Sequence, residues 1–472
     1  MTQTDTIPNT QWNSASAAHL ARRAGFGATP AELEKLVALG RDKAIAHFVD
    51  FPDATPELDR EILEVGGSLT DFGDGEGSDQ HVVSNFARAS WFYRMVREAA
   101  PLREKLTLFW HDHFACQRSK IVRLPQYMGQ IETFRAHAAG SFRELVRAVA
   151  KDGGMLAYLD NRLSDARNPN ENWGRELLEL FTLGVDNGYE QSDVYEVSRA
   201  FTGWTTPDLN SVEFVYDPEL HDSTDKVLFG ERLEGRSGAA GMNEGLEAID
   251  RILAKPECTD YLAEKLIAWF ANHEPTAAQV REIATILRDS DLSIRAALRG
   301  IFSADWFFAP ENRSNRFKNP VEFIISAARL LEVQNAHLAE LEQHALAFGM
   351  ELFEPPSVAG WDHGSSWVNS GTTVARAQFA LRLSSLPTSP LQITGSPAYD
   401  LEALIGDAQS DAEIVAVLAQ RLLQAELPEH AAIEEYLAQY EAPSNLTADQ
   451  VRLEKTRATI HLLLMSPRFA LA

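Results

Sequence analysis

The chain has 472 residues, with 68 Asp or Glu against 43 Lys or Arg, so its formal net charge at pH 7 is −25. With 45% hydrophobic residues it can bury a large core, which excludes disorder as a description of the whole chain. Nucleic acids and anionic membranes require cationic surfaces, so we expect neither as a partner. The two cysteines are too few for a disulfide scaffold.

The N-terminal sequence and the hydropathy bear on location. The first 16 residues are polar and lack the basic and apolar regions of a secretory signal. No window approaches the roughly 18 uninterrupted apolar residues that a membrane span requires. We therefore expect a cytoplasmic protein, and we predict a flexible N-terminus over residues 1–15.

The hydrophobic periodicity is that of α-helices along almost the whole chain. The clearest boundary is near the N-terminus, where Thr29 can cap a helix, Pro30 suits its first position, Glu32 completes a capping box and Gly40 ends it. We predict a mainly α fold, a large multi-helical domain with further helices at 83–100, 102–114, 126–137, 141–151, 170–183, 191–202, 245–254, 257–272, 276–289, 291–303, 319–332, 335–348, 373–385, 411–424, 429–440 and 447–465.

Breaks in this pattern suggest the domain organisation. Two short runs, 212–216 and 226–229, resemble strands and predict a small β-hairpin or flap near 212–229. Residues 50–80 carry ten acidic residues and five glycines, which predicts an exposed acidic loop. We predict a main helical domain over 16–386 and a C-terminal helical segment over 387–472 that packs on it.

The sequence His111-Asp112-His113 ends one helical pattern and contains residue types that bind metals. His113 falls on the buried stripe of that helix, and His111 points about 200° away from it if the helix continues. Both histidines can therefore bind one ion only if the helix breaks between them. The alternative is a buried structural histidine beside a helix C-terminus, where a cation suits the dipole.

A second polar group lies in the segment 168–184. Asn170 can cap a helix there and Gly184 can end it. The arc opposite its apolar face carries Glu171, Asn172, Arg175, Glu176 and Glu179. This pattern is typical of a solvated helix face, and it equally supplies carboxylates for a site.

Two loops carry further candidates. His221-Asp222 follows a strand-like run, which is a suitable position for a ligand or a general base. The Gly- and Pro-containing loop 354–369 carries Trp361, His363 and Trp367, which could form a stacking platform or lid, or a plug packed between helices. The chain has no dinucleotide fingerprint, no phosphate-binding loop and no Cys-x-x-Cys pair, so we expect neither a nucleotide cofactor nor haem.

Taken together and in this order, several segments resemble the bacterial family known as domain of unknown function 1800. The resemblance extends from about residue 16 to the end of the chain. Asp112 and Gly174 depart from the Asn and Ala that the family pattern leads us to expect, and the family brings no established activity with it. The segments are RRAGFG (22–27), FWHDHF (109–114), NENWGRELLE (170–179), RAFTGW (199–204), HD (221–222), KNP (318–320), PPSVAGW (355–361) and SPRF (466–469).

The leading functional hypothesis is a metal-assisted hydrolase. Glu171 or Asp222 would act as general base on a metal-bound water. Imidazoles and carboxylates suit zinc, iron or manganese, and the predicted ligands are His111, His113, Glu176, Glu179 and His221.

Two alternatives remain open from the sequence. One is a metal-free enzyme in a helical toroid that uses two carboxylates on a saccharide or other small molecule. Its substrate would contact Arg175, Trp204, Trp361 and Trp367. The other is a non-catalytic scaffold or assembly partner, in which a buried network of Glu176, Arg175 and His113 specifies helix packing.

Overall fold

The structure is a computed structural model that describes residues 12–52, 56–66, 79–121, 124–208, 211, 213–334, 338–385, 398–424, 430–441 and 443–472. Within them the chain forms 22 α-helices and four short strands, which confirms the predicted mainly α fold class.

The α-helices are α1 Ser14–Ala24, α2 Pro30–Leu39, α3 Arg41–Val49, α4 Pro56–Gly66, α5 Asp79–Arg97, α6 Pro101–His113, α7 Leu124–Ala136, α8 Phe142–Ala150, α9 Gly153–Tyr158, α10 Glu171–Glu176, α11 Gln191–Ala200, α12 Met242–Leu253, α13 Pro256–Phe270, α14 Ala277–Asp289, α15 Ile294–Ser303, α16 Pro320–Leu330, α17 Leu338–Ala347, α18 Ser370–Ser384, α19 Leu401–Ile405, α20 Asp411–Leu422, α21 His430–Ala438 and α22 Ala448–Met465. A π-helix, Leu177–Thr182, continues α10. The strands are β1 Trp204–Thr205, β2 Val215–Tyr216, β3 Lys226–Leu228 and β4 Glu231–Leu233.

Local sequence explains the first helix boundary. Thr29 and Glu32 form the predicted capping box at the start of α2, with Pro30 in its first turn. Gly40 follows the helix with a φ of 77°, which a residue with a side chain adopts only at a cost. Because each signal lies within a few residues of the boundary, the sequence alone was sufficient to place this helix.

The strand-like runs belong to two separate antiparallel sheets rather than to one hairpin. β2 pairs with β1, and β3 pairs with β4. The turn between β3 and β4 is Phe229-Gly230, and both residues have positive φ, 54° and 78°. Such a two-residue turn matches the twist of a hairpin, so β3 pairs with the strand immediately after it.

The fully buried helix α6 lies at the centre of the architecture that positions the site. All of its residues are buried, and it packs against α1, α3, α5 and α7. In the C-terminal segment, α22 packs against α18 and α20, and α20 also contacts α16. A helix that is surrounded on every side can present functional groups only at its ends. The C-terminal end of α6 carries His111, Asp112 and His113.

Some predictions fall on other parts of the chain. Residues 1–11 of the predicted flexible segment 1–15 lie outside the described residues. α1 begins at Ser14, within the last part of that segment. Residues 67–78 of the predicted acidic loop and residues 386–397 also lie outside them. The loop prediction was wrong for Pro56–Gly66, which form α4, because a proline and acidic residues in a first turn favour a helix. Within the described ranges, no helix is both long and apolar enough to cross a membrane.

Candidate functional site

The two histidines that we predicted as metal ligands lie on one unbroken helix. α6 continues through His113, so the break that a shared ion would require does not occur. His111 Nε2 accepts a hydrogen bond from the Phe353 N–H at 3.2 Å, and its Nδ1 lies 3.3 Å from the Tyr127 hydroxyl. Burial lowers the pKa of His111 to about 3. The neutral imidazole therefore joins α6 to the residues that precede the 354–369 loop.

His113 joins α6 to the π-helix. Its Nε2 donates to the Phe181 carbonyl at 3.0 Å, and the Tyr261 hydroxyl donates to the neighbouring Leu180 carbonyl at 2.9 Å. Burial lowers the pKa of His113 to about 3, and the charge of Lys265 acts in the same direction. The FWHDHF segment is thus joined, through a backbone carbonyl, to the π-helix that continues the NENWGRELLE segment.

The two carboxylates predicted as ligands in that second segment are both half-buried. Burial, followed by the charge of Glu179, raises the pKa of Glu176. Glu179 accepts a hydrogen bond from the Tyr189 hydroxyl at 3.3 Å. Neither carboxylate contacts His111 or His113 among the hydrogen bonds of the described residues.

Glu171 and Arg175 lie at the surface of α10. Their side chains are 44% and 38% exposed and lie 3.4 Å apart, and both bind the side chain of Gln191. This is the solvated helix face that the spacing also allowed. Arg175 binds Gln191 and Glu171 at the surface, and His113 binds the Phe181 carbonyl. The buried network of Glu176, Arg175 and His113 that the scaffold hypothesis predicted is therefore not formed in the described part of the chain.

His221 lies between β2 and β3 and has a separate set of partners. Its Nδ1 donates to the Thr202 carbonyl at 2.9 Å, and its Nε2 lies 3.1 Å from Glu244 Oε1. Lys226 binds the other oxygen of Glu244. We call these residues, with the adjoining Asp222–Arg199 pair, the Glu244 cluster.

Asp222 is held too tightly to be a good base. Its Oδ2 lies 2.7 Å from Arg199 Nε, and its Oδ1 accepts from both the N–H and the hydroxyl of Thr224. Burial alone would raise the pKa of Asp222, but the hydrogen bonds from Arg199 and Thr224 outweigh it and lower the pKa to about 2. A carboxylate with such a pKa takes up protons poorly near neutral pH.

The predicted metal ligands do not come together. In the described ranges, no group of three or more His, Cys, Asp or Glu side chains could hold a metal ion. The donor set therefore does not fit zinc, iron or manganese there, because His111 and His113 bind the protein backbone and His221 binds Glu244.

The tryptophans predicted to stack on a substrate are buried. The exposed fractions of Trp204, Trp361 and Trp367 are 0%, 5% and 6%. Trp204 packs against Phe201, and Trp361 packs edge-on against the His111 ring at 5.2 Å between centroids. Their faces are covered by protein, so these rings act as the plug between helices and not as a sugar platform.

The 354–369 loop instead builds a carboxylate–histidine pair on the end of α6. The Trp361 N–H donates to Asp112 Oδ1 at 2.9 Å, and His363 Nε2 lies 3.1 Å from Asp112 Oδ2. The Asp112 side chain is only 7% exposed, whereas that of His363 is 43% exposed. The imidazole edge packs against Trp269. A buried carboxylate thus orients a half-exposed histidine.

Gly360 makes this approach possible. Its φ is +84°, and a Cβ at this position would lie 2.6 Å from both the carbonyl oxygen and Oδ1 of Asp112. Any larger residue would separate the loop from the helix end, because Cβ contacts this short do not occur in folded proteins.

A second polar assembly lies nearby, which we call the Glu322 cluster. Lys105 Nζ lies 2.8 Å from Glu322 Oε1, and Arg316 binds the same oxygen at 2.5 Å. The other members are Arg22 and Arg23 at the end of α1 and Lys318 just before α16. The cluster therefore joins the RRAGFG and KNP segments to α6.

His273 connects the Glu322 cluster with the loop. A Cβ on Gly364 would lie 3.7 Å from His273 Nε2. Burial, then the charges of Arg316 and His363, lower the pKa of His273 to about 4. The pair of Asp112 and His363 and the Glu322 cluster are thus within electrostatic reach of the same side chain.

The sequence reasoning did not select Asp112 and His363 as a pair, nor did it select the Glu322 cluster. Two signals were present. Arg22 and Arg23 are adjacent cations in the last turn of α1, and the carboxylate of Glu322 lies within an apolar stretch. Glu322 was explicable as the capping partner of Asn319, a role that it does have. What the pattern did not reveal is which cations surround it.

Comparison with known proteins agrees with the resemblance in sequence. The model of the family described as "Protein of unknown function (DUF1800)" matches residues 19–471, and the chain belongs to that family. The chain has no match among curated proteins or among solved structures.

Proposed function

We propose that this member of the family is a hydrolase in which His363 is the general base and Asp112 positions it. The observation that supports the proposal is the geometry at the end of α6. One ring nitrogen of His363 faces a buried carboxylate at 3.1 Å, and the side chain remains 43% exposed. The catalytic imidazoles of many hydrolases have this combination of an orienting carboxylate and an accessible second nitrogen.

The chemistry follows from the tautomer that the carboxylate selects. His363 Nε2 lies 3.1 Å from Asp112 Oδ2, and we assign the ring proton to Nε2, which leaves the lone pair of the neutral ring on Nδ1. Nδ1 takes a proton from a water molecule as the water oxygen attacks the substrate, and the imidazolium then gives this proton to the leaving group as its bond to the substrate breaks. The Asp112 carboxylate stabilises the imidazolium that forms in between.

The two residues have separable roles. An asparagine at position 112, which the family pattern leads us to expect, could orient His363 through its side-chain oxygen but could not stabilise the imidazolium by charge. Asp112→Asn therefore tests the electrostatic role, and His363→Ala tests the base itself. His47, an exposed histidine on α3, supplies a matched control as His47→Ala.

The test is turnover of p-nitrophenyl acetate, phosphate, sulfate and glucoside by the full chain. For the compound that is hydrolysed, His363→Ala is expected to lower kcat by roughly 10²–10⁴ with little change in KM. Asp112→Asn should also lower kcat, and His47→Ala should not change it. Wild-type kcat in His363→Ala, or no hydrolysis of any compound in the panel, would contradict the proposal.

A further inference from the structure

The Glu322 cluster has more buried positive charge than its carboxylate can neutralise. All six of its side chains are at least nine-tenths buried, with exposed fractions of 8% for Arg22 and 4% for Lys318 and 3% or less for the other four. They comprise one carboxylate and five cations. The cluster thus concentrates positive charge inside a chain whose net charge is −25.

The hydrogen bonds of Glu322 show which cations it pairs with. Its Oε1 binds Lys105 and Arg316, and its Oε2 accepts from the Asn319 N–H at 3.0 Å in the capping box of α16. Burial would raise the pKa of Glu322, but Arg316 and Lys105 outweigh it and hold the pKa well below its usual range. The carboxylate is charged and occupied, and it makes no contact with Arg22, Arg23 or Lys318.

Two members of the cluster are supported by other acceptors. Lys105 Nζ donates to the Arg22 and Gly25 carbonyls at 2.7 and 2.6 Å. Arg23 Nη2 donates to the Asn312 carbonyl at 3.0 Å and to Asn315 Oδ1 at 2.8 Å. Even so, Arg23 Nε and Nη1 are buried without a hydrogen-bond partner.

Arg22 and Lys318 have no acceptor among the described residues. The Arg22 guanidinium makes no hydrogen bond or ion pair there, and its Nη1 is fully buried. Lys318 Nζ lies over the face of the Phe469 ring, 4.0 Å from its centroid. Burial and the nearby charge of Arg22 lower the pKa of Lys318 well below its ordinary value. Arg22 and Lys318 are thus two buried neighbouring basic side chains that have no acceptor among the described residues.

An unpaired buried charge is expensive, and folded proteins normally pair such groups or bind an ion to them. The chain has 68 acidic residues from which a partner could have been drawn. A planar guanidinium beside an ammonium group is the donor set that recognises tetrahedral oxyanions, with the arginine fork binding two oxygens. An anion from outside the fold would supply the acceptors that these side chains lack among the described residues.

We infer that the Glu322 cluster is a binding site for a phosphate-like oxyanion, which Arg22 and Lys318 hold directly and Arg23 and Arg316 reinforce. The anion is either free inorganic phosphate or the corresponding group of an organic molecule. Its position near His273 places it close to the loop that carries His363. The inference does not depend on the chemistry proposed for His363, because it rests on the hydrogen bonds and charges of the cluster alone.

The test is calorimetric titration of the full chain with sodium phosphate, sodium sulfate and phenyl phosphate in Tris–chloride buffer at constant ionic strength. Wild type is expected to bind with saturation. Arg22→Gln and Lys318→Met should each weaken binding roughly tenfold or more, because each removes a charge-assisted hydrogen bond. Lys43→Gln, which changes an exposed lysine of α3, is the matched control and should bind as wild type does.

Melting temperature without phosphate provides a second, independent readout. Removing an unpaired cation relieves repulsion, so Lys318→Met in chloride buffer should melt at or above wild type. If Lys318 only supported the structure, the melting temperature of Lys318→Met would instead be lower than that of wild type. His363→Ala should bind phosphate like wild type, which separates this site from the proposed active site.

The outcomes are decisive in both directions. Tighter binding of phosphate identifies the free ion as the ligand, and tighter binding of phenyl phosphate identifies a substituted one. Absence of saturable heat in wild type would overturn the inference, as would equal affinities in wild type, Arg22→Gln and Lys318→Met. If either substitution prevents folding, Arg22→Lys, which keeps the charge and removes the fork, is expected to show weakened binding, and wild-type affinity in it would overturn the inference.

Discussion

Two charged clusters in this molecule differ in their balance of carboxylates and basic side chains. In the Glu244 cluster, Lys226 and His221 both face the Glu244 carboxylate, and Arg199 is bound by Asp222. In the Glu322 cluster five cations share one carboxylate, which binds only Lys105 and Arg316.

The difference separates a structural network from a binding site. The central carboxylates are similarly buried, with Glu244 0% and Glu322 2% exposed. What differs is whether each charge has a partner within the chain. Where every buried charge is paired within the chain, the cluster needs no further partner. A buried charge that has no partner within the chain can instead bind a ligand of opposite charge.

The largest effect is expected from Glu322→Gln, which removes the one carboxylate of its cluster. Lys105 and Arg316 would lose their ion pairs while still buried, so the free energy of unfolding should fall by about 3–5 kcal/mol. Urea unfolding in chloride buffer measures it. Added phosphate is expected to recover part of the loss, and a loss below about 1 kcal/mol would mean that the cations are not electrostatically coupled.

Glu244→Gln is the matching change in the closed network, and its expected cost is smaller, about 2–3 kcal/mol. Lys226 keeps its hydrogen bonds to the Asp222 and Thr224 carbonyls, and His221 keeps its hydrogen bond to the Thr202 carbonyl. Urea unfolding again measures the change. Phosphate should not restore stability here; a recovery equal to that of Glu322→Gln would remove the distinction between the clusters.

Alkaline pH should stabilise the Glu322 cluster, because Lys105 loses its proton earlier in the folded chain. Burial lowers the pKa of Lys105 to about 7 from an ordinary 10.5. Between these values the unfolded chain binds a proton that the folded chain lacks, so the free energy of unfolding rises with pH, by at most about 1.4 kcal/mol per unit.

The measurement is the stability difference between wild type and Lys105→Met at several pH values. As pH rises from 7 to 9, the free energy of unfolding of wild type should increase relative to that of Lys105→Met. The free energy of unfolding of Lys43→Met should change with pH as that of wild type does. A difference that is constant with pH would show that Lys105 has the same proton affinity in the folded and unfolded chains.

The smallest effect is expected at the surface of α10. Glu171→Gln and Arg175→Met break a solvated pair whose side chains are 44% and 38% exposed. Each should change the free energy of unfolding by no more than about 0.5 kcal/mol. Thermal unfolding checks it. A loss of free energy of unfolding as large as that expected for Glu244→Gln would show that this surface pair contributes to stability as the Glu244 cluster does.

The parts of the site that could be read from the sequence are those governed by local contacts. The capping box of Thr29 and Glu32 and the N-cap at Asn170 involve residues two or three positions apart, and the structure contains both. The prediction of one α-helix over 170–183 was correct only to Glu176, because the chain continues as a π-helix. The side chains of His113 and Tyr261 bind its carbonyls, and neither is near it in sequence.

The pair of Asp112 and His363 shows why the rest was out of reach. The two residues are 251 positions apart, and their contact depends on Gly360 lying against the end of α6. No periodicity or spacing encodes such a contact. The histidines that looked most suited to a metal, His111 and His113, proved to be bound by backbone groups, because the neighbours of a buried side chain are chosen by the packing of distant helices.

The sequence by itself determined that this protein is mainly α-helical, where its caps lie and which family it belongs to, because those properties depend on residue order and short-range hydrogen bonds. Only the tertiary structure decided which charges meet. The charge balance inside a protein depends on all the segments that meet in one volume, and RRAGFG (22–27) and KNP (318–320) meet although they are far apart in the chain. The net −25 of the sequence therefore says nothing of the buried positive cluster at its centre.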